Sequence, residues 1–414
     1  MVSIMNQAIN FIEEKKHEII SSLQELIRAK TENPPGRTIE GIEVIARILK
    51  KYDIEYRIIE PSPEKQNLIA EIGNGRPVLI LNGHVDVVPA GNGWSVDPYG
   101  GVIKGDKIYG RGATDMKSGV IAILYAFLAH RKLEKGKLVL TIVADEETGG
   151  KDGTEFLLKN GFVKGDACLI AEPSGRLNPY VYDIVAGEKG ALWVRIKSKG
   201  KAAHGSLPML GDNAIRKIAS LINNLPILIP VKVKIPEDAK TLIEGGKKSL
   251  ERVHKDAPKA LDNITVNVGT IRGGRKTNMV PDECEITLDL RIPIGVNTEY
   301  ALKALEDTVK NLGEDKFEIE IISRIEPSYT SPSNNLVKIV REVAKKYLGY
   351  EPLPICMAAT SDARIFRHHG IPTINFGPGY LEKAHTRDEF ILIQDVINFT
   401  KMYVEIINKF LGLS

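Results

Sequence analysis

The chain has 414 residues, 43% hydrophobic and 26% charged, which is long enough for two domains with full cores and too apolar for a disordered or fibrous protein. Its 56 basic and 53 acidic residues leave a formal charge of +3, too balanced to supply the basic face that nucleic-acid binding needs. The three cysteines, Cys168, Cys284 and Cys356, lie far apart with no CxxC pair, which argues against a disulfide framework or a thiolate zinc site and for buried small apolar residues.

Near the start, Glu13, Glu14, Lys15 and Lys16 stand where a signal peptide or membrane span would need an apolar stretch, so neither is expected and the expected compartment is the cytoplasm. Apolar residues at 9, 12, 19, 23, 26 and 27 recur at helical spacing, predicting one amphipathic helix over 9–29 that Asn33-Pro34-Pro35-Gly36 stops. A second helix is expected over 39–52. Strand-like runs follow at 78–81, 138–144, 167–171 and 373–376, with a helical stretch over 119–132 between the first two. Strands alternating with helices predict an α/β sandwich around a largely parallel sheet.

Near Gly187 the pattern changes. Residues 191–198 read as a strand, 213–224 as a helix, 264–271 and 284–292 as strands, 298–312 as a helix and 317–322 as a strand. That βαββαβ order predicts a ferredoxin-like α+β domain inserted into the first. The expected division is 1–186 and 327–414 for the α/β domain and 187–326 for the insert. Residues 226–262 show no clear pattern beyond an exposed helix over 240–255.

Open α/β sheets bind ligands at the carboxyl ends of their strands. "LNGHVDVVP" places His84 and Asp86 at such an end, on one face of the chain because strand side chains alternate. "GRGATDMKSG" adds Asp115, "VADEETGG" adds Glu146 and Glu147, "IAEPS" adds Glu172, and "FGPGYLEKAHTRDE" adds His385. Singly, each has an ordinary structural reading: a hydrogen-bonded histidine, a solvated acidic pair, a helix cap at Asp115. Together they put two imidazoles and five carboxylates on one rim, and so much negative charge calls for a cation. Nitrogen and oxygen donors favour zinc, cobalt or manganese, and the histidines disfavour calcium. "GATDMKS" is no phosphate loop, since Met116 stands where glycine is required, and a GxGxxG turn is also missing.

The blocks "NGHVDVVPAG", "GRGATDMKSG", "DEETGG", "AEPS", "GKAAHGSLP", "GGRKTNMVPDECEITLDLRIP", "TSDARIF" and "FGPGYLEKAHTRDE" resemble, in order and over nearly the whole chain, the two-metal amidohydrolase and peptidase family of acetylornithine deacetylase, succinyl-diaminopimelate desuccinylase, aminoacylase and glutamate carboxypeptidase. The resemblance implies two divalent metal ions, zinc foremost and cobalt or manganese as alternatives. One would be held by His84 and Glu172, the other by Glu147 and His385, with Asp115 between them. Asp86 would fix the His84 tautomer. Glu146 would be the general base, consistent with adjacent turn residues pointing apart. The insert would be a lid and dimerisation domain, His204 would reach across a homodimer to the partner's site to stabilise an oxyanion, and a cis peptide is expected between Asp115 and Met116.

Asn278, Arg291 and Arg364 are the candidates for binding substrate carboxylates, with a structural ion pair as the alternative for each arginine. Ala358-Ala359 replaces a pair of glycines common among the deacetylases, which would narrow the site near the substrate side chain. The expected reaction is hydrolysis of the amide of an N-acyl amino acid in lysine or arginine biosynthesis. A carboxypeptidase or dipeptidase is the alternative, and a metal-binding scaffold without catalysis is the rival from another class. The expected partners are small molecules and a second copy of the chain, with no nucleic acid and no membrane.

Overall fold

Val78-Leu79-Ile80-Leu81 opens the strand Val78–His84, in which every residue after Val78 is buried. Such a continuous apolar run is what a parallel strand covered on both faces requires. In this computed structural model, which describes residues 4–177, 180–313 and 317–413, that strand lies between Gly136–Val143 and Ala167–Leu177, parallel to both. Thr373–Tyr380 extends the parallel set beyond Ala167–Leu177. Tyr56–Ser62 and Lys65–Asn74, which the sequence pattern did not reveal, add an antiparallel border on the other side. They leave little pattern in the sequence because they are half-exposed, charged and, at Pro61, carry a residue confined to sheet edges and bulges.

The helix Ser118–Ala129 is buried on all sides from Ser118 to Leu128, packed by Ile4–Glu14, Lys16–Arg28 and Ile393–Leu411 as well as by the sheet. The expected opening helix is two helices, Ile4–Glu14 and Lys16–Arg28, broken at Lys15. The charged stretch 13–16 has no apolar side chain to bury, so no packing holds the helix straight there. Ile39–Lys51 is the expected second helix.

Two compact units divide the chain: Met1–Ala186 with Thr330–Ile355 and Ser361–Ser414, and Gly187–Tyr329 with Cys356–Thr360. The return to the first unit thus falls at Thr330 rather than 327, and the segment with Ala358 and Ala359 groups with the second unit. The sheet of the second unit is antiparallel, in the order Leu228–Pro230, Asn263–Gly273, Glu283–Ile292, Gly190–Lys199 and Phe317–Ile325. Leu192, Val194 and Ile196 point into its core against Ile218 and Leu221 of Ala214–Asn224 and Leu305 of Thr298–Asn311. Asn213 and Asn297 cap these two helices by accepting the amides of Arg216 and Tyr300. The helix near 240–255 runs over Glu237–Glu251 and is not a wholly exposed one: Ala239, Leu242, Ile243, Gly246 and Ser249 are buried. Glycine and serine on that buried stripe weakened its apolar signal. A Cβ on Gly246 would stand 2.4 Å from the Cys356 carbonyl oxygen, so close packing explains the small residue.

Candidate metal centre

The acidic and imidazole side chains come from strand ends and the loops leaving them. His84 ends Val78–His84, and Glu172 lies in Ala167–Leu177. Glu146 and Glu147 form the turn Glu146–Thr148 just after Gly136–Val143, and His385 lies beyond Thr373–Tyr380. Asp115 sits in the Ala113–Lys117 turn before the helix Ser118–Ala129, and the Asp115–Met116 peptide is cis. That helix can start against the Glu172 strand because its second residue is Gly119, where a Cβ would stand 2.0 Å from the Ala171 carbonyl oxygen.

Asp115 faces both imidazoles, one with each oxygen. Its Oδ1 lies 3.3 Å from His84 Nε2, and its Oδ2 lies 3.3 Å from His385 Nε2. Glu172 Oε1 is also 3.3 Å from His84 Nε2, with Glu146 Oε2 further off at 4.0 Å. On the other side, Glu147 Oε2 lies 3.1 Å from His385 Nε2. Donor atoms therefore gather in two groups, His84 with Glu146 and Glu172, and Asp115 with Glu147 and His385, each within 4.8 Å.

The electrostatics follow from burying like charges together. Burial raises the Glu172 pKa to about 7, with the charges of Asp115 and Glu147 adding to it. Burial and the Glu172 charge lift Glu146 well above the usual carboxylate range. Glu147 is raised by burial and by Asp115. Asp115 moves the other way: burial opposes its charge, but the His385 and His84 imidazoles facing its two oxygens hold its pKa down. Burial lowers the His84 pKa, and the carboxylates of Glu172, Asp115 and Asp86 more than reverse this. Contacts with Asp115 and Glu147 raise His385 to about 10.

Asp86 does more than orient an imidazole. His84 Nδ1 lies 2.9 Å from the Asp86 carbonyl oxygen and 3.3 Å from its Oδ1, so both neighbours are acceptors and Nδ1 carries the proton. In the neutral ring this leaves the Nε2 lone pair directed at the carboxylates. The Asp86 carboxylate also accepts the amides of Glu146 at 3.3 Å and Glu147 at 3.2 Å, and Asn33 Nδ2 at 2.9 Å. It thereby ties the glutamate turn to the histidine strand. In the sequence Asn33 reads as part of a helix stop, and nothing local marks it as a partner of Asp86.

Among the remaining candidates, His204 and Asn278 adjoin within the second unit. Gly205 N donates to the Asn278 carbonyl oxygen at 2.8 Å, and both residues line an open concavity of about 440 Å³ with Lys276 and Met279. His204 Nδ1 lies 2.7 Å from Ser206 Oγ. Arg291, on Glu283–Ile292, pairs with Asp289 at 2.9 Å. Arg364, in the first unit, donates from Nη1 to the Ser361 carbonyl at 2.6 Å and from Nη2 to the Gly149 carbonyl at 2.7 Å. It braces the end of the glutamate turn.

Four carboxylates and two imidazoles make a donor set of oxygen and nitrogen only. The buried His84 Nε2 has no hydrogen-bond partner among the described residues, although carboxylates surround it. An orphaned lone pair beside converging anionic oxygens fits divalent cations. Comparison with known proteins agrees: the family described as Peptidase family M20/M25/M40 matches residues 80–409. The chain belongs to peptidase family M20. A relative in Staphylococcus epidermidis, named "Probable succinyl-diaminopimelate desuccinylase", is 28% identical over 406 residues, covering 95% of this chain and 97% of its own. An M20 family metallo-carboxypeptidase from Sulfolobus solfataricus shares the fold with a TM-score of 0.77 at 24% identity, over 96% of this chain and 100% of that one. A Bacillus subtilis protein described as a dinuclear metal-binding peptidase of the M20 family aligns with a TM-score of 0.66 at 15% identity, over 97% and 100% of the two chains. The expected fold class and the expected class of enzyme, a metal-dependent amidohydrolase, both stand. No helix among the described residues is long and apolar enough to cross a membrane.

Proposed function

We propose that this M20 hydrolase cleaves the amide of an N-acyl amino acid at a two-metal centre, with N-succinyl-diaminopimelate the first substrate to test and N-acetylornithine the second. The observation that carries the reading is Asp115, whose two oxygens each lie 3.3 Å from a different imidazole. His84 and Glu172 would hold one ion and Glu147 and His385 the other, with Asp115 placed to serve both. Zinc suits the donors best, followed by cobalt and manganese. When bound, the ions supply Lewis acidity that polarises the scissile carbonyl.

Glu146 is the general base. Its carboxylate, 4.0 Å from His84 Nε2 and so further off than Glu172, is the one left to take a proton from the attacking water and deliver it to the departing amine. The water oxygen bonds to the carbonyl carbon, the carbon–nitrogen bond breaks, and a carboxylate and a free amine leave. Asp86 keeps the His84 lone pair aimed inward. His204 offers a donor for the developing oxyanion, acting on the partner's site in a homodimer, and Asn278 remains a candidate for a substrate carboxylate. The exposed Trp193, Ile271 and Ile321 on strands of the second unit support such pairing. Arg291 is the candidate for a substrate carboxylate. Arg364, with Nη1 and Nη2 on backbone carbonyls, serves better as a brace than as a substrate ligand. We place the enzyme in the cytoplasm.

The relative named for desuccinylation favours the acyl amino acid reading, and the carboxypeptidase fold neighbour keeps peptides as the alternative. Release of free amine from N-succinyl-diaminopimelate, N-acetylornithine, other N-acyl amino acids and dipeptides, after loading with zinc, cobalt or manganese, tests it. Turnover of one acyl amino acid is expected, falling by about a hundred- to ten-thousand-fold in Glu146→Ala. Cleavage of dipeptides alone would overturn the substrate assignment.

A further inference from the structure

Glu389 and Arg111 are buried, are far apart in the chain, and have no part in the reaction as proposed above. Glu389 Oε2 accepts Arg111 Nη1 at 2.6 Å. Its Oε1 accepts two consecutive amides, Thr114 N at 2.8 Å and Asp115 N at 3.0 Å, and its backbone carbonyl accepts Gly110 N at 3.0 Å. Arg111 Nη1 also reaches the Thr386 carbonyl at 3.2 Å, next to His385. Arg111 Nη2 reaches the carbonyls of Pro89 at 3.4 Å and Ala90 at 3.3 Å, on the loop that follows His84 and Asp86. One ion pair therefore ties together the three loops that carry Asp86, Asp115 and His385.

We infer that Glu389 is a positioning residue, which with Arg111 sets the spacing between Asp115 and His385 and so determines whether the second ion is held. His84 and Glu172 have a sheet to place them, because their strands pair in parallel register from Leu79 with Ala167 to Asn82 with Ile170. Asp115 and His385 have only loops. Pinning the two peptide groups on the N-terminal side of Asp115 fixes the direction of its carboxylate, and the arm to Thr386 fixes the backbone beside His385, where φ is 61°. Partners of this outer kind typically change metal affinity by about 10- to 100-fold.

The inference rests on the two-metal reading, and the test separates the two. In Glu389→Gln the side chain keeps its shape, yet either amide orientation sets an N–H against an N–H: against the backbone amides or against Arg111. Cobalt(II) titration followed by its visible absorption, with metal content after dialysis, gives affinity for each ion independently of activity. The expected result is a folded variant whose weaker ion is lost about 10- to 100-fold more readily while the tighter one is retained, with kcat falling much more than KM. Glu71→Gln, which breaks a pair with Lys137 on the sheet, serves as the matched loss of charge and should hold both ions. If Glu389→Gln fails to fold, Arg111→Lys keeps the positive charge, cannot span both sets of carbonyls, and should show the same selective loss. A folded variant at either position that binds both ions as the unsubstituted protein does would overturn the inference and leave the metal centre standing. An unsubstituted protein that binds no second ion would overturn both.

Discussion

His84 and Glu172 lie on neighbouring strands, and the His84 side chain is 1% exposed; Glu147 and His385 lie on loops, and the His385 side chain is 52% exposed. The first pair inherits its geometry from a sheet ladder whose hydrogen bonds exist for the fold's sake. The second pair must be held by ties made for that purpose: Asp86 on the Glu147 amide, and Arg111 on the Thr386 carbonyl. The contrast teaches that one half of the centre should survive perturbations that dismantle the other, with Asp115 as the member common to both.

The largest effect is expected from Asp115→Ala, which removes the oxygens facing both imidazoles. Metal analysis of the dialysed protein should find both ions depleted, by more than the roughly 10- to 100-fold typical of an outer partner, and amine release should disappear. Full retention of both ions would break the idea of a shared carboxylate. Next comes His385→Ala, which should leave one ion per chain on the strand-held group. Equal loss of both ions would show that the halves do not act separately. The smallest effect is expected from Gly119→Ala, which touches no donor but pushes the helix Ser118–Ala129 away from the Glu172 strand. Overpacking of this kind costs about 1–3 kcal/mol, read as a lower midpoint in urea, and should weaken the strand-held ion more than the loop-held one. An unchanged midpoint would mean that the strand yields without cost.

Legibility in the sequence followed the same division. His84 and Glu172 were readable because each ends or interrupts an apolar strand run, where a polar residue stands out. His385 and Asp115 needed the wider motif, since glycine-rich loops carry no periodicity to mark a side chain's direction. Glu389 ends the stretch "FGPGYLEKAHTRDE", but nothing local marks it, because its amide partners at Thr114 and Asp115 lie 275 and 274 residues away. Arg364 shows the converse: an arginine in a motif suggests a substrate anion, while the carbonyls that occupy it come into view only when the glutamate turn is folded beside it.

By itself the sequence determined the alternating α/β order, the inserted βαββαβ unit and the set of candidate donors, because apolar periodicity and residue chemistry are local properties. Tertiary structure decided where the opening helix breaks, which face of Glu237–Glu251 is buried, and that Glu146 stands further from His84 than Glu172 does. It also decided that a buried glutamate and arginine knot the loops together. Those outcomes depend on hydrogen bonds and close contacts between segments remote in the chain, where no local pattern records the partner.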